Sequence, residues 1–175
     1  MTDTPQISAR SAADVESILR ENGWLAGAAT QELAAWMAEA AALLGPLVHD
    51  REALADLLAL VFEYDAQVIL QSPAAHSVLA REGAREVIRE LANLVLESGA
   101  VDSDRFKGLI DALKARVPWR SRELFHPIRL ALAGRAGEGE LDRVILLCDE
   151  AAQLPFAVPV KNVRQRLLEF CAALD

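Results

Sequence analysis

Apolar residues along this chain recur every three or four positions, and glycine, proline or a capping side chain interrupts the runs at short intervals. That spacing belongs to amphipathic helices. After Thr30, which can cap a helix, Leu33, Trp36, Met37, Ala40, Leu43 and Leu44 line one face until Gly45-Pro46 stops the run. Between Gly83 and Gly99, Val87, Ile88, Leu91, Leu94 and Val95 do the same. Ser11, with Asp14 three residues on, opens a first helix that ends at Gly23. Asp50 opens one ending near Phe62, and Asp65 a short one over AQVILQ. Ser72-Pro73 places a cap before a proline at the first helical position. Asp102 or Ser103 opens RFKGLIDALKARV, which Pro118 closes. Further helices are predicted within 127–133 and 138–150, and a last one over 161–174 after the break PFAVP.

No strand pattern competes: there is no alternating run and no Asn-Gly or Asp-Gly turn. No fixed repeat period argues for a solenoid. The expectation is an all-α, irregular multi-helix bundle of two small lobes, 1–117 and 118–175. Gly99–Ser103 is an alternative boundary, and Pro118 is preferred because the charge changes there.

Composition narrows the class. With 53% hydrophobic residues among 175, the chain can bury a real core, and with 5% aromatics that core must be aliphatic and alanine-rich. The longest apolar stretches, such as 57–62, are far shorter than the ~20 residues that span a bilayer. Residues 1–10 (MTDTPQISAR) are polar and lack an apolar signal core, so a cytoplasmic location is expected; 1–6 (MTDTPQ) reads as a natural start, which favours a free-standing protein. Cys148 and Cys171 lie in apolar helical patterns outside any CxxC pair, and are expected to be inert core thiols.

Charge changes the picture more. The chain carries a formal net charge of −8, yet Lys114, Arg116, Arg120, Arg122, Arg129 and Arg135 face one acid, Glu123, between positions 114 and 135. That window sums to +5 and leaves −13 on the rest. Arginine forks match phosphate, and Trp119, Phe125 and His126 lie among them as rings able to stack on unpaired bases. The plain alternative is a solvated helix end whose arginines pair with acids.

Other chemistry is thin. His49, His76 and His126 have no metal-ligand spacing, and His49-Asp50 reads as an ordinary cap. Ser72 and Ser98 lack a nucleophile elbow, and Glu63 and Asp65 do not face each other. No glycine-rich phosphate loop occurs. Neither an enzyme nor a cofactor is expected.

The order LFHPIRLALAG (124–134) resembles the C-terminal anticodon-binding region of bacterial glutamyl-tRNA synthetases. That family has a basic lead-in with glycine, a leucine, a histidine-proline step, an arginine and an alanine-leucine-threonine-glycine close. FEYD (62–65) and WMAEAAALLGPLV (36–48) resemble upstream parts of the same region, and GELDRVILLCDEA (139–151) and PVKNVRQRLLEF (159–170) resemble its later helices. The resemblance runs from about Leu33 to Phe170. Ser121 stands where the family has its usual glycine, and Ala133 where it has threonine. No HIGH-like or KMSKS-like motif and no parallel-sheet pattern is present, so the catalytic part is missing.

The resemblance implies a non-catalytic module that recognises a tRNA anticodon arm, glutamate-type, alone or beside a separate synthetase catalytic chain. It makes Arg129 and Arg135 the foremost RNA contacts, with Arg120 and Arg122 on phosphates and Lys114 nearby. His126 either touches RNA or caps a helix beginning at Pro127, and Trp119 is either a stacking platform or a core anchor. The competing class is a helical protein-interaction domain that kept the fold and lost RNA binding. Arginines exposed together favour the first; arginines neutralised by Glu138, Glu140 or Asp142 favour the second.

Overall fold

Capping decides where the helices begin. Ser11, Thr30, Asp50, Ser72 and Asp102 each accept a hydrogen bond from the backbone N–H three residues on, and Asp65 accepts from Gln67 and Val68. Each bond satisfies an amide that the helix itself leaves without a partner. The computed structural model describes residues 11–175; the polar stretch read as the chain's start, 1–10, lies outside the described residues. The helices are α1 (Ala12–Glu21), α2 (Gln31–Leu44), α3 (Arg51–Phe62), α4 (Ala66–Leu70) and α5 (Pro73–Leu79). They continue as α6 (Ala84–Leu96), α7 (Ser103–Arg116), α8 (Arg122–Ala133), α9 (Glu140–Ala151) and α10 (Val163–Leu174). Among the described residues there is no strand, and no helix is long and apolar enough to cross a membrane.

The expected helix within 127–133 starts five residues earlier, at Arg122. Pro127 therefore sits inside α8, and His126 caps nothing. Proline there removes one backbone bond, and the exposed position of Glu123, four residues back, leaves that carbonyl near water.

α8 is the central rod. Every residue from Pro127 to Ala133 is buried, because α5, α6, α9 and α10 pack around it. Ala131 and Ala133 let the neighbours approach closely. α9 packs on α2 and α3, so the hydrophobic cluster runs continuously across Pro118. The expected boundary there does not divide two cores.

Aromatic residues join distant parts of the chain. Trp24 stacks on Phe62 at 4.9 Å, and Trp36 and Phe156 meet Phe62 edge-on. Trp36 Nε1 donates to the Leu147 carbonyl at 3.1 Å, and the Ala157 amide to the Trp24 carbonyl at 2.7 Å. The break PFAVP is thus docked on the N-terminal half.

Arg166 is fully buried and has no carboxylate partner among the described residues. Its guanidinium donates to the carbonyls of Leu60, Val61, Leu132 and Lys161, and stacks 4.7 Å from the Tyr64 ring. Leu60, Val61 and Leu132 lie in the last turns of α3 and α8, so the negative ends of two helix dipoles compensate the cation. The Tyr64 hydroxyl donates to Ala131 and Arg166 carbonyls, and burial pushes the phenol up, so it stays neutral. Asp149 accepts from the Val101 and Val163 amides, tying the α6–α7 connection to the start of α10.

Candidate nucleic-acid interface

Arg129, foremost among the expected RNA contacts, is 8% exposed. Its Nε and Nη2 donate to the two carboxylate oxygens of Asp142 at 2.9 and 3.0 Å, and Nη1 donates to the Gly137 carbonyl at 2.9 Å. The guanidinium also lies 4.8 Å from the Phe125 ring. Three of its five N–H groups are engaged and the guanidinium is buried, so it is not presented to a phosphate in solvent, and the expectation is corrected: Arg129 locks α8 to α9.

Arg120 faces solvent but bends back. It donates to the carbonyls of Lys114, Val117 and Trp119, closing the C-terminal end of α7. Its charge has no acid partner among the described residues. Lys114 is half-buried, 5.9 Å from the Phe125 ring. Arg116 pairs with Glu90 at 3.4 Å. Trp119 is a packing anchor: a Cβ on Gly83 would lie 2.2 Å from its ring. Gly83 also holds φ +83°, so only glycine suits that contact.

Arg122 is exposed and meets Glu138 at 3.5 Å. Arg135 is exposed and makes no hydrogen bond or ion pair among the described residues. The two stand at opposite ends of α8, a 12-residue helix about 18 Å long. The compact island in the sequence is therefore two separate ends of a buried rod.

His126 is half-buried, and a residue absent from the sequence reading joins it. Arg81, just after α5, places Nη1 2.9 Å from His126 Nδ1. A guanidinium only donates, so Nδ1 accepts and the ring hydrogen sits on Nε2. Burial first, and then the Arg81 charge, push the imidazole below its ordinary range. Position 81 lies 45 residues from His126 within REGAR, and only its basic side chain hinted at a role.

No protein family, curated protein or solved structure matches this chain. The site must be judged on its own chemistry. Around the entry to α8 the solvent-facing cations are Arg81, Arg120 and Arg122, with Glu138 beside them. Outside 114–135 the chain is acidic in sum, at −13. A cleft of about 440 Å³ between α2, α9 and the α6–α7 connection is lined by Glu39, Asp102, Asp149 and Glu150. There burial, then the hydrogen bond and charge of Glu150, push Glu39 up. Among the described residues no group of three His, Cys, Asp or Glu side chains could hold a metal ion. Cys148 is fully buried as expected, whereas Cys171 is half-buried; burial raises both thiols away from the reactive thiolate.

Proposed function

We propose that this chain is a non-catalytic helical module that binds the anticodon arm of a tRNA, glutamate-type, either within a longer synthetase or beside a separate catalytic chain. The resemblance of 124–134 supplies the class. One observation carries it to this surface: Arg81 and Arg122 are exposed beside His126 at the N-terminal end of α8, and Arg120 is exposed two residues before Arg122. The Arg122–Glu138 pair does not disqualify it. Its side chains are 75% and 63% exposed, and such pairs contribute about 0–1 kcal/mol, so a phosphate can displace Glu138. Arg135, at the far end of α8, is a second and separate contact.

A titration of labelled glutamate tRNA, with an unrelated tRNA beside it, tests the reading across salt concentrations. Selective binding that weakens steeply with salt is expected, and Arg122→Ala should flatten the log–log salt slope by about 1. No binding at low salt removes the reading.

A second reading has an observation of its own. Arg129 and Arg122 engage Asp142 and Glu138, and the chain outside the basic window carries −13. Those pairings favour a helical protein-interaction domain that retained the fold without RNA binding. Absence of tRNA binding together with capture of a synthetase catalytic chain would select it.

A further inference from the structure

Among the described residues Arg81 has no carboxylate or carbonyl partner: its contact is the His126 ring. The charged groups facing that ring are Arg81 from the α5–α6 connection, Arg122 and Arg129 from α8, and Glu138 from the loop before α9. Arg129 is already compensated by Asp142, which leaves Arg81 and Arg122 against Glu138. Glu138 is moreover shared, 3.5 Å from Arg122 and 4.0 Å from Arg129. Protonating His126 in this setting adds a third uncompensated cation and breaks the Arg81 hydrogen bond, because Nδ1 then becomes a donor. An oxyanion reverses both penalties. It supplies the missing negative charge, takes the spare N–H groups of the Arg81 fork, and gives a protonated imidazole something to donate to.

We propose that Arg81, His126 and Arg122 form a seat for one oxyanion of the phosphate class, and that filling it is coupled to proton uptake on His126. The inference rests on the patch used in the reading above and deepens it at one point. It makes binding there tighten as pH falls through the histidine range, by up to about tenfold per pH unit for one fully coupled proton. The anion's source is either an RNA backbone or a free phosphate.

The test follows the histidine ring signals of the full chain by NMR from about pH 5 to pH 8, where histidine titrates. Sulfate is the first probe, because its charge is constant over that range, against chloride at equal ionic strength; a short RNA hairpin is the second. His126→Gln assigns the signal, and His49 and His76 are internal references. Sulfate should raise the His126 midpoint by about one unit relative to those references, the shift that corresponds to tenfold coupling. Arg81→Gln should raise the midpoint in chloride and abolish the sulfate-induced shift. Shifts with both probes place backbone phosphate in the seat. A shift with sulfate and none with the hairpin keeps the seat for a free anion while ending the tRNA reading. No sulfate-induced shift, or a full shift that survives Arg81→Gln, overturns the proposal.

Discussion

At the scale of the residue, burial rather than charge decides what an arginine does. Arg129 and Arg122 sit two turns apart on α8, and the sequence offers both as RNA contacts, Arg129 first. Arg129 is 8% exposed and bidentate to Asp142; Arg122 stands in solvent. Arg129→Ala leaves Asp142 without its partner at a packed interface and should cost about 3 kcal/mol. The folded protein should keep its affinity for RNA. Urea unfolding alongside the tRNA titration checks both halves. A stable variant with lost binding would return Arg129 to the interface. Its role was hidden because Asp142 lies 13 residues away, on a different helix whose packing the chain pattern does not reveal.

At the scale of the element, the entry to α8 carries backbone strain. Ser121 adopts φ 55°, ψ −133°, the one positive-φ non-glycine residue among those described, and its side chain makes no cap bond. Its carbonyl accepts from the Leu124 and Phe125 amides, as an N-cap carbonyl does. Holding serine there costs ~1–3 kcal/mol. Ser121→Gly removes that cost and gives back part of it as unfolded-chain entropy, so a net gain of about 1 kcal/mol is expected. Thermal melting should shift upward by ~2–4 °C, and a lower melting point would contradict the strain. The positive φ at position 121 was not legible, because serine carries no local signal for it. Nor was the helix start. Pro127 drew the expected start to itself, although proline tolerates the second turn when the carbonyl it orphans faces water.

At the scale of the whole molecule, one buried cation holds the halves together. Arg166 links the ends of α3 and α8 to the start of α10 through four carbonyls. Arg166→Met fits the apolar surroundings and strands those carbonyls, so a loss of about 3 kcal/mol or more is expected. Because the core is continuous across Pro118, unfolding should remain a single transition, with fluorescence of the Trp24–Trp36–Phe62–Phe156 cluster and circular dichroism changing together. Two separate transitions would restore the division into lobes. Nothing in VRQRLLEF sets Arg166 apart, since an arginine satisfied by distant carbonyls leaves no local mark in the sequence.

The sequence by itself determined the all-helical class, the order of the helices and six of the ten described α-helical N-caps. Each of those rests on interactions within four residues of chain: apolar spacing, side-chain capping and glycine or proline stops. The tertiary structure alone decided which charges face water. Whether an arginine meets Asp142, a spray of helix-end carbonyls, the His126 ring or solvent depends on how helices from distant parts of the chain pack around α8. That packing minimises exposed apolar surface, a property of the whole chain that no local window of residues contains.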